Sequence, residues 1–83
     1  MSSYGVSKFL FAFNTDPAIR AGFRSAPETV LSAFPLDAEE RRALETFDFG
    51  WLYHERGIHS LLLSALANGS GIPVPKMVEA LRA

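Results

Sequence analysis

Helix-start signals recur about every ten residues along this chain, which restricts it to a fold built from short helices. Side chains able to accept from the first free N–H groups of a helix stand at Ser3, Asp16, Ser25, Asp37 and Asp48. No stretch alternates cleanly between apolar and polar side chains with β-branched enrichment, so a sheet is not expected. Because 83 residues suffice for only one core, we predict a single all-α domain over 1–83, an irregular bundle of about five to seven short helices.

The spacing of apolar residues bounds each predicted helix. The first is predicted over 4–13 from residues at i, i+3, i+4 and i+7, namely Val6, Phe9, Leu10 and Phe13. The later helices are predicted to begin at Pro17, after Ser25 and after Asp37, and to span 49–56, 61–67 and 73–83. Residues 68–72, which are rich in glycine and polar side chains, are predicted to form a flexible linker before the last helix.

The third and fourth helices carry more specific predictions. Ser25 and Glu28 have the S-x-x-E form of a capping box, so the third helix is expected to start after Ser25 and to carry Phe34 near its end. The fourth helix is expected to be mostly solvated, with Leu44 and Phe47 as its apolar positions.

Charge and composition argue against several classes of function. Eight basic and nine acidic residues leave a net charge of −1, which lacks the one-sign field that holds a nucleic acid backbone. The longest apolar stretch, 61–67, is too short to cross a bilayer, and the first 13 residues lack the apolar core of a signal peptide. We therefore predict that the chain binds neither nucleic acid nor membrane. Because it has no cysteine for a disulfide or a zinc–thiolate site, we also predict a cytoplasmic protein.

His54, Glu55 and His59 are the ligand types of a non-haem iron site, but their spacing does not suit one. His54 and Glu55 are neighbours about 100° apart around a helix, and Gly57 is expected to end that helix before His59. We therefore predict that this chain binds no metal or cofactor, and that His59 caps a helix or makes a buried hydrogen bond. A catalytic centre is not expected either, since cysteine is absent and a serine beside His59 does not make a nucleophile.

An aromatic run with a spacing of two marks the most informative segment. Phe47, Phe49, Trp51 and Tyr53 cannot all lie on one helix face, so part of the run is expected at the surface. Core packing is the commoner explanation, and a partner interface is the other, because tryptophan and tyrosine often anchor interfaces. The residues predicted to form an interface or to line a partner's pocket are Phe49, Trp51, Tyr53, His54, His59 and Leu62.

The order of several short motifs resembles that of a known family. These are Phe9-Leu10-Phe11, Asp16-Pro17, Phe23-Arg24, Pro27, Val30-Leu31, Phe34, Leu36, Glu39-Glu40, Ala43-Leu44, Leu52-Tyr53, Gly57-Ile58-His59 and Leu61-Leu62-Leu63. Over about residues 7–67 this order resembles the small, alpha-subunit family of protocatechuate 4,5-dioxygenase and related extradiol ring-cleaving enzymes. The G-x-H-x-L-L-L segment after the L-Y pair is its most specific part, and Ser60 stands where the family usually has proline.

The resemblance implies an accessory helical subunit in a hetero-oligomer. In that family the larger catalytic subunit supplies the Fe(II), its two histidines and its glutamate, and the small subunit helps to close the pocket for the aromatic substrate. Two alternatives stay open. Helical domains of similar pattern also serve as recognition parts of peptide precursors, including substrates of backbone N-methyltransferases, in which case the segment after residue 68 would be the modified tail. The other alternative is a purely structural assembly domain.

Overall fold

The computed structural model describes residues 3–82, and these residues form seven helices and no strand. The prediction of an all-α bundle is confirmed, at the upper end of the predicted number of helices. The helices are α1 (Ser3–Thr15), α2 (Pro17–Ser25), α3 (Pro27–Leu31), α4 (Ala38–Glu45), α5 (Phe49–Arg56), α6 (Ser60–Gly69) and α7 (Val74–Arg82). None of these helices is long and apolar enough to span a membrane.

Four of the helices begin at caps that the sequence predicts. Asp16 accepts a hydrogen bond from the Ala18 backbone N–H at 2.9 Å, with proline in the first turn of α2. Asp37 accepts from the Glu40 N–H at 2.7 Å, and the Glu40 carboxylate accepts in return from the Asp37 N–H at 3.0 Å. This reciprocal pair is a capping box that opens α4. Asp48 and His59 cap α5 and α6 by a single side-chain bond each, accepting from the Trp51 and Leu61 backbone N–H groups.

The predicted capping box at Ser25 is wrong. Ser25 is the last residue of α2, and its hydroxyl donates to the Ala21 carbonyl at 3.2 Å. The N-cap of α3 is Ala26, which makes no side-chain cap. The reason is Pro27, because a proline disfavours a helical residue before it and so breaks the chain at Ala26. Helix α3 is also shorter than predicted and ends at Leu31, so Phe34 lies in the following turn.

The fourth helix is less solvated than predicted. It buries Glu40, Ala43 and Leu44, and Phe47 lies beyond its end with a φ of 56°. The prediction missed this burial because it counted neither Ala43 nor the capping glutamate as core positions.

The predicted linker at 68–72 overlaps α6, which continues through Gly69. The turn that follows is hydrogen-bonded. The Ile72 N–H donates to the Ala67 carbonyl at 2.8 Å, and the Arg24 guanidinium donates to the Gly69 carbonyl at 2.8 Å. The connection to α7 is therefore shorter than predicted, at residues 70–73, and its flexibility stays a prediction.

The core is centred on α1, which packs against α2 and α6. All four apolar residues that predicted α1 are buried, and the Phe9 ring centroid lies 5.2 Å from that of Phe23 and 5.4 Å from that of Phe34. Gly5 lets the first turn of α1 touch the loop before α4, since a Cβ there would overlap the Pro35 carbonyl oxygen. The buried apolar residues are Val6, Phe9, Leu10, Phe13, Phe23, Leu31, Ala43, Leu44, Phe49, Leu52, Ile58, Leu63, Leu66, Ala67 and Met77.

Helix α7 packs across α5 and α6 and buries Met77. Gly50 permits the contact with α5, because a Cβ at that position would lie 2.9 Å from the Ala80 carbonyl oxygen. The His54 ring nitrogen Nε2 lies 2.8 Å from the Leu81 carbonyl oxygen, and it donates because a carbonyl can only accept. These contacts fix the face of α5 on which His54 lies.

Candidate partner-binding surface

Three of the six predicted interface residues meet where α5 joins α6. Tyr53, His54 and His59 line an open depression of about 450 Å³, together with Gly57, Ile58 and Ser60. We call this the α5–α6 depression. It contains the Gly57-Ile58-His59 motif, which lies in the most specific part of the family resemblance.

Three consecutive residues form the connection between the two helices. Gly57 ends α5 in the left-handed region, with φ 65° and ψ 30°, a conformation that glycine adopts without steric cost. Ile58 then anchors the connection in the core, only 2 % exposed, and its N–H donates to the Leu52 carbonyl at 3.1 Å. The next residue, His59, returns to extended backbone and caps α6.

Both histidine rings are held by the backbone. The Nδ1 atom of His59 accepts from the Leu61 backbone N–H at 3.1 Å, so a neutral ring carries its proton on Nε2. His54 donates through Nε2 to Leu81, which leaves its Nδ1 as an acceptor. Tyr53 packs its ring edge-to-face on His54, with centroids 5.1 Å apart. The depression therefore presents polar atoms of fixed orientation on an aromatic surface.

The other three predicted residues lie elsewhere. Phe49 is in the core, 4 % exposed, and so cannot contact a partner in this conformation. Leu62 is half-buried against the core. Trp51 is half-buried beside two arginines, with the Arg56 guanidinium carbon 4.5 Å and that of Arg42 5.6 Å from its ring. The structure thus brings three of the six residues together, and whether any of the six contacts a partner stays a prediction.

Trp51 and Arg56 belong to a network that joins α4 to α5. Arg56 donates through Nε to the buried carboxylate of Glu40 at 3.1 Å and through Nη2 to Asp37 at 3.2 Å. The Glu40 backbone N–H holds the pKa of the Asp37 carboxyl below its usual value; desolvation opposes this shift, and Arg56 reinforces it. This network supports the α5 side of the depression by fixing the end of the helix that carries Tyr53.

Sequence reasoning missed Leu61, which is 73 % exposed in the first turn of α6. Three consecutive leucines cannot share one helix face, so the phase of the helix decides which of them points outward. Leu63, Leu66 and Ala67 are buried at i, i+3 and i+4, and this spacing was already visible in the sequence. It identifies Leu61 as the outward residue, directly after Ser60, which lines the depression.

Within residues 3–82 no group of three or more histidine, cysteine, aspartate or glutamate side chains is placed to hold a metal ion. His54 and His59 each use one ring nitrogen in a backbone hydrogen bond. What the depression offers is an aromatic ring, two oriented imidazoles and the hydroxyls of Tyr53 and Ser60. This mixture of aromatic and polar groups is typical of protein–protein contact surfaces.

No family model, curated protein or solved structure matches this chain. The resemblance to the extradiol small subunits therefore rests on the sequence motifs alone.

Proposed function

We propose that this chain is a non-catalytic, partner-binding subunit, and that its partner is the larger, Fe(II)-bearing subunit of an extradiol aromatic-ring-cleaving dioxygenase. The observation that carries the proposal is the α5–α6 depression. Its exposed side chains, Tyr53 and His59, belong to the sequence segment that most specifically resembles the small subunits of these enzymes.

The fixed geometry of the depression supports a binding role. Side chains that are already ordered lose little conformational entropy when a partner covers them, and this lowers the cost of association. His54 and His59 are held by the backbone of α7 and α6, and Tyr53 packs on His54. Leu61 adds apolar area that gains free energy when a partner removes it from water.

In the proposed assembly the partner subunit, and not this chain, binds the metal. The Fe(II) and its ligands lie in the larger subunit, and this chain closes one side of the aromatic substrate's pocket without a cofactor of its own. We also propose a cytoplasmic location, because a cysteine-free chain does not depend on an oxidising compartment.

Helix α7 favours this function over that of a peptide precursor. A tail that an N-methyltransferase modifies has to be extended to enter an active site. Residues 74–82 are instead helical, with Met77 only 2 % exposed and the Ala80 carbonyl packed on Gly50. Modification of this segment would first require its removal from α5 and α6, at the cost of that burial.

The test is co-expression with the enzyme encoded next to this chain. If that enzyme is an extradiol ring-cleaving subunit, we expect the two chains to co-purify and the rate of ring cleavage to rise when this chain is present. An extradiol subunit that neither binds this chain nor changes its turnover would contradict the proposal. A neighbouring methyltransferase that modifies residues of this chain would establish the precursor function instead.

A further inference from the structure

A second concave site lies at the opposite end of α6 from the α5–α6 depression. It has a volume of about 340 Å³, and we call it the Phe47 cleft. Ser70, which caps the C-terminal end of α6, lines the cleft, whereas His59 at the N-terminal end lines the depression. A ten-residue helix is about 15 Å long, so the two sites are separate. The cleft is lined by Phe23, Arg24, Pro27, Glu45, Phe47 and Ser70.

Phe47 occupies a backbone position that normally belongs to glycine. It is the only non-glycine residue with positive φ among those described, at 56°. The Asp48 N–H donates to the Ala43 carbonyl at 2.8 Å, and the Phe47 N–H donates to Leu44 at 3.4 Å, which is the hydrogen-bond pattern of a Schellman motif. A phenylalanine in this conformation is strained, and such strain is characteristic of functional sites. In this conformation the Phe47 ring packs perpendicular to the Phe23 ring, with centroids 6.1 Å apart, and forms one side of the cleft.

Glu45 gives the cleft an unpaired negative charge. It is the last residue of α4, where a carboxylate is unfavourable because it adds to the negative end of the helix dipole. It is half-buried and forms no ion pair or side-chain hydrogen bond with another residue of 3–82. Arg41 and Arg42 line a neighbouring groove with Glu45, but neither pairs with it, and Arg42 pairs with Asp48 at 3.2 Å.

Arg24 is the one cationic residue among the described residues that line the cleft, and it is hydrogen-bonded to the backbone. Arg24 donates to the Gly69 carbonyl at 2.8 Å, which ties its guanidinium to the end of α6. The Arg24 guanidinium keeps its charge, because a carbonyl is neutral, but it does not pair with Glu45. The Glu45 carboxylate therefore has no ion-pair partner among residues 3–82, and the face of the Phe47 ring attracts cations as well.

We propose that the Phe47 cleft binds a small organic cation, an ammonium group carried on an apolar body. The carboxylate of Glu45 pairs with the ammonium, and the half-buried Phe47 and Pro27 contact the apolar part. The volume of the cleft is at the lower end of the range for small-molecule sites, which suits a ligand with a single ring. This inference does not depend on the proposed dioxygenase role.

Three ligands with the same ring and different charge test the proposal: benzylamine, benzyl alcohol and benzoate. Each is titrated at neutral pH into the ¹⁵N-labelled full chain, and the amide signals are followed by NMR. We expect benzylamine to shift the amides of Phe47 and Ser70 with saturation, and to bind more tightly than the alcohol, with benzoate weakest. Benzoate binding as tightly as benzylamine would overturn the proposal, because Arg24 would then dominate the site. So would the absence of any saturable shift at the cleft.

A charge-removing variant sharpens the result. Glu45→Gln keeps the shape of the side chain and is expected to weaken benzylamine binding about fourfold while leaving benzyl alcohol unchanged. The matched control is Glu79→Gln, an exposed glutamate on α7 outside the cleft, which should bind benzylamine as the unaltered chain does. Equal benzylamine affinity in the Glu45→Gln and Glu79→Gln variants would show that Glu45 does not pair with the ammonium group, and it would overturn the proposal.

Discussion

Replacement of Glu40 by glutamine tests how α4 and α5 are held together. The Glu40 side chain is 1 % exposed, and its two oxygens accept from different donors. Oε1 accepts from the Asp37 backbone N–H at 3.0 Å, and Oε2 accepts from Arg56 Nε at 3.1 Å. Glutamine has the same shape but only one accepting oxygen, so in Glu40→Gln one of the two donors faces an amide N–H₂ group.

The expected loss of stability follows from the hydrogen bond that Glu40→Gln removes. A hydrogen bond to a charged group contributes about 1.5–3 kcal/mol. Arg56 is partly solvated and keeps its contacts with Asp37 and Trp51, so the cost should fall in the lower part of that range. We expect Glu40→Gln to lower the free energy of unfolding by about 2 kcal/mol. A domain of this size has a total stability of about 4–12 kcal/mol, so the loss should be easily measured.

The assay is urea unfolding at neutral pH, followed by far-ultraviolet circular dichroism and by the fluorescence of the single tryptophan, Trp51. Glu39→Gln is the matched control, because Glu39 is the exposed neighbour in the same helical turn and loses only a favourable position near the helix N-terminus, about 0.5 kcal/mol. Equal stability of the two variants would refute the buried pairing of Glu40 with Arg56.

Three further predictions concern single positions in the same unfolding assay. Gly5→Ala should cost about 1–3 kcal/mol, because the new methyl group meets the backbone of Pro35; unchanged stability would refute that close approach. The pKa of Asp37 is lowered in the folded state, so the ionised carboxylate stabilises the fold above its unfolded pKa, and this stabilisation is lost as pH falls through the folded pKa. Asp37→Asn should therefore lose stability less steeply than the unaltered chain between about pH 5 and pH 2. An unchanged slope would contradict this. Phe47→Gly should change the free energy of unfolding by less than about 1 kcal/mol, because relief of about 1–2 kcal/mol of left-handed strain offsets the loss of a half-buried ring. Phe23→Ala, which removes a buried ring, is expected to cost about 3–5 kcal/mol. A loss of that size for Phe47→Gly would show that the Phe47 ring is ordinary core.

Helix starts were predictable here where one side chain decides them. Asp16, Asp37 and Asp48 cap helices because their carboxylates reach N–H groups two or three residues ahead, a relation that the sequence itself contains. Ser25 failed because a second local rule competes with capping. The proline two residues later moves the break to Ala26, and this effect outweighs the S-x-x-E pattern.

The proximity of three candidate residues was predictable for a similar reason. Tyr53, His54 and His59 are close in sequence, and Gly57 turns the chain so that they stay close in space. The burial of Phe49 was not predictable in this way, because an aromatic run does not reveal which side of its helix faces the core.

Long-range partners could not be read from the sequence at all. The pairing of Arg56 with Glu40 spans 16 positions and depends on how α4 and α5 are rotated against each other. Likewise, the hydrogen bond from His54 to Leu81 spans 27 positions and requires the packing of α7. Neither pair carries a local signal, so each had to wait for the tertiary structure.

The central claim is that the α5–α6 depression binds a larger catalytic subunit. If the enzyme encoded beside this chain is an extradiol subunit, isothermal titration of that enzyme with this chain tests the proposal most directly, once circular dichroism has shown that each variant is folded. We predict that Tyr53→Ala raises Kd by about 5- to 150-fold, the equivalent of roughly 1–3 kcal/mol for an aromatic anchor. Phe11→Ala removes an aromatic ring that is 66 % exposed and outside the depression, and it should leave Kd within about twofold. Folded Tyr53→Ala that binds as tightly as the unaltered chain would contradict the claim.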